Sequence, residues 1–185
     1  MHSAILARAA FVLILAITAQ LPAHAEGVPE PEFYRMDAYR SPTPATLRGA
    51  RVVAADEAFA LWREGAAMFV DVMPRPPKPE GLPEGTIWRD RPRQTIPRAV
   101  WLPNVGYGRL AAETDGYFRR NLEVLSGGDK AKPLVFFCLA DCWMSWNAAK
   151  RAREEYGYTR VIWFREGTDG WLFPEAPLVP AEPLP

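Results

Sequence analysis

The 185-residue sequence predicts an α/β fold, with a mainly parallel open sheet and helices on both faces. Two patterns lead there. Short apolar runs at residues 68–72, 99–102, 134–137 and 160–164 alternate with segments whose apolar residues recur at helical spacing. The run Leu134, Val135, Phe136, Phe137 is apolar at every position, as in a strand covered on both faces. In such a sheet ligands bind at the C-terminal ends of the strands, which here gathers Asp71, Asn104 and Cys138 on one edge.

From the N-terminus, residues 1–25 read as a secretory signal peptide. Arg8 is their only charged side chain, residues 9–19 are apolar, and Ala23-His24-Ala25 is an A-x-A cleavage site. The apolar core is shorter than the roughly 20 residues a spanning helix needs, so the expectation is a periplasmic protein with no membrane attachment after cleavage. Residues 26–45 contain four prolines, Pro29, Pro31, Pro42 and Pro44, and no apolar period, which marks an N-terminal extension without regular structure.

The domain itself is expected over residues 46–174. A strand at 51–54 is followed by a helix capped by Asp56 and running to about Gly65, with Phe59, Leu61 and Trp62 on its apolar face. Asp71 closes the next strand, where it can meet a ligand or accept backbone hydrogen bonds from the following loop. Residues 73–95 hold six prolines and the basic side chains of Arg75, Lys78, Arg89, Arg91 and Arg93. This long connection suits either a lid that attracts anions or a solvated loop, pinned in both cases by Trp88.

A third strand at 99–102 ends at Pro103-Asn104. Tyr117, Phe118, Leu122 and Leu125 then repeat at helical spacing until Ser126-Gly127-Gly128 stops the helix. The strand at 134–137, a helix to about Tyr156, a strand at 160–164 and a short helix within 166–171 complete the domain. Prolines 177, 180, 183 and 185 mark a tail over 175–185.

With 22 basic and 22 acidic residues the chain carries no net charge and gives no sign of a nucleic-acid or acidic-lipid partner. Its only histidines, His2 and His24, both fall in the signal segment. Cleavage would leave no imidazole, which excludes Ser-His-Asp and Cys-His hydrolases and His-ligated metals. No glycine-rich phosphate fingerprint occurs, and no cofactor is expected.

The chemistry concentrates in Cys138-Leu139-Ala140-Asp141-Cys142-Trp143. Cys138 stands where strand becomes loop. With Asp141 as N-cap, Cys142 enters the first helical turn and unpaired backbone N–H groups face Cys138, an arrangement that can hold a thiolate. In an oxidising compartment a disulfide is the simple expectation, yet closing so short a loop constrains the unfolded chain little, so the pair also suits redox chemistry. Trp143 and Trp146 fit either the core or the walls of a pocket. Cys138, Cys142 and Met144 make a soft set of the kind that takes Cu(I), but an incomplete one, and no metal is expected.

These residues resemble the rhodanese-like domain over about residues 46–173. The matching pieces are Phe69-Val70-Asp71-Val72, Ile96-Pro97-Arg98-Ala99 (where the family has Ile-Pro-Gly-Ala), the strand ending in Cys138, and the stretch from Gly157 to Trp171. Cys138 to Trp143, followed by Met144-Ser145-Trp146-Asn147, is similar to exported rhodanese-like proteins with a CxxxCW motif, associated with quinone-dependent alcohol catabolism. The resemblance implies a rhodanese-like sheet, Cys138 as the active cysteine, and partners in a periplasmic alcohol oxidation system that uses pyrroloquinoline quinone.

The loop departs from active thiosulfate sulfurtransferases, which commonly have basic or small polar residues where this chain has Leu139, Ala140 and Asp141. Asp141 would oppose thiolate formation beside Cys138. Two functions follow. In one, Cys138 is a nucleophile that carries a persulfide or mixed disulfide, Cys142 resolves it, and Leu139, Ala140, Asp141, Trp143, Asp71 and Asn104 meet a thiol or sulfur-donor substrate. In the other, the chain is a binding or delivery module with a structural Cys138–Cys142 disulfide.

Overall fold

The structure is a computed structural model and describes residues 28–87 and 92–185. The expected signal segment and Trp88, Arg89 and Arg91 lie outside the described residues. In chain order the elements are β1 (Arg51–Val53), α1 (Ala55–Arg63), β2 (Met68–Asp71), β3 (Arg93–Thr95), β4 (Val100–Trp101) and α2 (Ala112–Ser126). They continue with β5 (Leu134–Phe137), α3 (Trp143–Glu154), β6 (Val161–Phe164), α4 (Gly167–Gly170) and β7 (Val179–Ala181).

Five strands form one parallel sheet in the order β1-β6-β5-β2-β4. Every residue of the central strand β5 is buried, as its unbroken apolar run requires. The two-residue period of a strand divides its side chains between two cores. Leu134 and Phe136 pack with Phe118 and Leu122 of α2 and Trp146 of α3, whereas Val135 and Phe137 share the other face with Ala58 of α1 and with Trp171. Helices therefore cover both faces of an α/β sheet. Cys138, the first residue beyond β5, belongs to the core on the α2 and α3 side.

Local signals set the helix ends, with one substitution of partner. Asp56 does not cap α1. Ala54 is the N-cap residue without a side-chain bond, and Glu166 Oε2 accepts from Ala55 N–H at 3.1 Å instead. Asp56 and Glu57 sit in the first turn, where their charge favours the positive end of the helix. At the other end of the domain's second helix, Gly127 takes φ +65° and Gly128 N–H returns to Glu123 O at 2.9 Å, ending α2 where the sequence places its stop.

Both proline-rich ends are docked onto the domain, the C-terminal one along the sheet. β7, within the expected tail, pairs antiparallel with β3, so the long connection also ends in a strand. Leu184 N–H donates to Trp101 O at 3.0 Å, and Tyr117 Oη donates to Leu184 O at 2.9 Å. Pro180 fits because a two-stranded ribbon leaves each strand one edge with no donor to supply.

Arg98 marks the turn into β4. Its φ is +67°, Ala99 N–H closes the turn on Ile96 O at 3.0 Å, and its guanidinium lies 4.3 Å from the centre of the Trp62 ring. Arg98→Gly and Arg98→Ala both lose the ring contact and differ only in the Cβ at a left-handed position. In urea unfolding the glycine variant should be the more stable by about 1 kcal/mol, once the larger unfolded-state entropy of glycine is subtracted. Equal stabilities would show that the turn relaxes.

A candidate dithiol site

The loop of residues 138–142 crosses the carboxyl edge of the sheet, and three separate segments hold it. The first is the start of α4. Cys138 O accepts from Thr168 N–H at 3.0 Å and from Thr168 Oγ1 at 3.3 Å, while Ala140 N–H donates to Asp169 Oδ2 at 3.1 Å. Gly167 has φ +54°, and a Cβ there would stand 2.4 Å from Cys138 O, so this approach requires glycine.

The second support is Asp71, which has no solvent exposure. Its carboxylate accepts from Met73 N–H at 2.9 Å, Arg93 Nε at 2.8 Å and Thr95 Oγ1 at 2.6 Å. Burial pushes the Asp71 carboxyl up, against the pull of Arg93, Thr95 and the Met73 amide. Arg93 Nη2 then reaches Cys138 O at 3.4 Å, and Met73 Sδ lies 3.5 Å from Cys138 Sγ. Of the two roles open to Asp71, the observed contacts are those of a loop organiser.

The third support is the N-terminal extension, expected as a linker and found as a strap across the site. Arg40 pairs with Cys142 in an antiparallel bridge, its Nη1 donates to Ala140 O at 2.7 Å, and Trp143 N–H donates to Tyr39 O at 2.9 Å. The strap is held by the residues around the second cysteine. Trp143 Nε1 donates to Ser41 Oγ at 3.0 Å and Trp146 Nε1 to Thr46 O at 3.1 Å. Asn147 grips the Arg35 peptide on both sides, accepting from its N–H at 3.0 Å and donating to its carbonyl at 2.9 Å.

Cys138 and Cys142 are both free thiols, with exposures of 0% and 2%. The two sulfurs influence each other, and the effect of Cys138 is the largest of those pulling Cys142 down to about 6. The Met144 and Leu139 amides and the charge of Arg40 act in the same direction, against burial. Cys138 moves the other way. Burial, the neighbouring Cys142 and the Asp71 carboxylate push it well above an ordinary thiol, against the Leu139 amide.

These directions favour the anion at Cys142, whereas the sequence reading placed it at Cys138. The reason is the helix start. Cys142, not Asp141, is the N-cap residue of α3, which sets its sulfur near the Met144 amide of the first helical turn. Asp141 sits at φ +49°, exposed, with a carboxylate oxygen 4.0 Å from Arg165.

The remaining expected site residues separate. Leu139 contributes its amide and Ala140 its carbonyl and N–H. Trp143 is buried, stacks edge-on against Trp146, and belongs to the strap's anchorage. Asn104 accepts from Arg75 N–H at 3.0 Å and lines a different cavity of about 480 Å³ with Arg75, Tyr107 and Arg109. Sequence reasoning missed Met73, Arg40 and Thr168. Each reaches the cysteines from a distant segment, and no spacing rule links them.

Asn147 satisfies three backbone groups, with Gly106 O as the third at 2.9 Å. Asn147→Ala leaves these unpaired and should destabilise the protein by about 2 kcal/mol. The loosened strap should raise the rate of Cys142 alkylation by roughly tenfold under native conditions, since an opening that becomes 1.4 kcal/mol easier is tenfold more populated. An unchanged rate, read by mass spectrometry, would mean that the strap does not control access. Compared with known proteins, the chain matches no family model and no curated protein.

Proposed function

We propose that the chain is an exported rhodanese-like thiol protein whose Cys138–Cys142 pair exchanges disulfide or sulfane sulfur with a thiol or sulfur-donor substrate. The observation that carries this reading is the pair of buried, free thiols at the two ends of one short loop on the carboxyl edge of a parallel sheet. The rhodanese-like reading draws support from Cys138 standing directly after β5, and from the left-handed turn at Arg98, where the resembled family has glycine. The proposed setting, a periplasmic system for quinone-dependent alcohol oxidation, rests on the CxxxCW resemblance. No helix among the described residues is long and apolar enough to cross a membrane.

In the exchange, the Cys142 thiolate attacks a substrate disulfide, forming a mixed disulfide and releasing one substrate thiolate. Cys138 gives its proton to that leaving thiolate and attacks Cys142, closing the Cys138–Cys142 bond and releasing the second thiolate. Two electrons pass from the pair to the substrate. With a persulfide donor, the same first attack moves the terminal sulfur to Cys142 and frees the donor thiol. This order reverses the expected roles of the two cysteines.

The alternative, a rhodanese-fold binding or delivery module, is favoured by the burial of both sulfurs and by the strap that bridges Cys142. Trapping separates the two. With an aromatic disulfide as probe, Cys138→Ser should accumulate a stable mixed disulfide at Cys142, whereas Cys142→Ser should react at least roughly tenfold more slowly, because its remaining thiol is protonated and buried. Faster reaction of Cys142→Ser would return the nucleophile to Cys138. Failure of both variants and of the unaltered protein to react would favour the module.

A further inference from the structure

The sulfur cluster contains a third member. Met73 follows β2 by two residues, Cys138 follows β5, and Cys142 opens α3, so three separate elements bring their sulfurs together. Cys138 Sγ donates to Met73 Sδ at 3.5 Å, and the buried Cys142 thiol closes the same short loop four residues on. The sequence offered Met144 as the thioether, but the thioether in contact with Cys138 is that of Met73. Asp71 positions Met73 by accepting its N–H, so the thioether is anchored by the same carboxylate that holds Arg93 against the cysteine loop.

We propose that Met73, Cys138 and Cys142 form a binding site for a single Cu(I) ion. Two thiolates and a thioether are soft ligands, and they number three, a set that suits Cu(I). Structural Zn(II) is almost always held by four ligands in a tetrahedron, and the chain has no histidine beyond His24 to complete one. Metal–sulfur bonds of about 2.3 Å in a trigonal plane separate the sulfurs by about 4 Å. The 3.5 Å contact between Met73 and Cys138 needs only a slight opening to admit the ion.

Charge and access fit the same ion. Coordination forms bonds from Cu(I) to both cysteine sulfurs, releases their remaining protons to solvent, and transfers no electron. The resulting complex carries one negative charge. Arg93 at Cys138 O and Arg40 at Ala140 O face it, while the Asp71 carboxylate is already paired with Arg93. Met73 is partly exposed and the cysteines are not, so an ion enters from the thioether side, whereas a protein disulfide must first displace the strap.

The site does not depend on thiol exchange, and the test keeps the two apart. Full-length reduced protein is titrated without oxygen against Cu(I) held by a coloured bicinchoninate complex, while thiol exchange is measured on metal-free protein in chelator. The unaltered chain should withdraw one Cu(I), and bound Cu(I) should protect both cysteines from alkylation. Loss of even an outer-shell partner commonly costs tenfold or more in metal affinity, so removing the Met73 ligand itself with Met73→Leu should weaken binding by at least roughly tenfold. Met144→Leu, a volume-conserving change in the core, should leave it unaltered. No withdrawal of Cu(I), equal binding by Met73→Leu and the unaltered chain, or tighter retention of Zn(II) than of Cu(I) would overturn the proposal.

Discussion

A carboxylate with no access to water must be answered by donors, and at Asp71 that demand organises the carboxyl edge of the sheet. β2 carries the acid to the edge, and three donors from Met73, Arg93 and Thr95 converge on it. Each donor has a consequence beyond the acid. Met73 is turned so that its sulfur meets Cys138, Arg93 is turned toward the Cys138 carbonyl, and Thr95 fixes the end of β3, on which the C-terminal strand pairs. A single buried charge thereby joins the long proline-rich connection, the second small sheet and the cysteine loop.

The same loop is closed from the other side by the N-terminal strap. Two indole donors and one carboxamide on the first turns of α3 hold residues 35–46, and the strap in turn bridges Cys142 through Arg40. Packing and electrostatics pull in different directions here. Burial disfavours a thiolate, while Cys138, the Met144 and Leu139 amides and Arg40 favour it, and the balance tilts toward the anion at Cys142. Cys138 has little besides the Leu139 amide to offset its burial and keeps its proton. The two sulfurs differ because one lies inside the sheet's edge and the other at a helix start.

The central elements were legible because their signals are local. The apolar run of β5, the stop of α2 at Gly127-Gly128 and the two cysteines around a short loop all depend on near neighbours. What the sequence hid is long-range. Prolines in residues 28–47 and 175–185 exclude helices but do not prevent extended backbone from docking through its carbonyls and N–H groups, so both segments looked detached. The cap of α1 comes from Glu166, more than one hundred residues away, and no local rule finds it. Asp141 had the composition of an N-cap but adopts a left-handed conformation one residue too early, and that one-residue difference sets the Met144 amide near Cys142.

The account rests on Cys138 and Cys142 acting as one unit, and a redox titration of the metal-free protein tests this most directly. The protein is equilibrated across a series of reduced and oxidised glutathione mixtures, quenched with acid, and read by intact mass. The account predicts a single two-electron step from the dithiol to an intramolecular disulfide, seen as the loss of two hydrogen atoms with no stable glutathione adduct. Accumulation of glutathione on one cysteine, or a dithiol that persists in the most oxidising mixture, would contradict it.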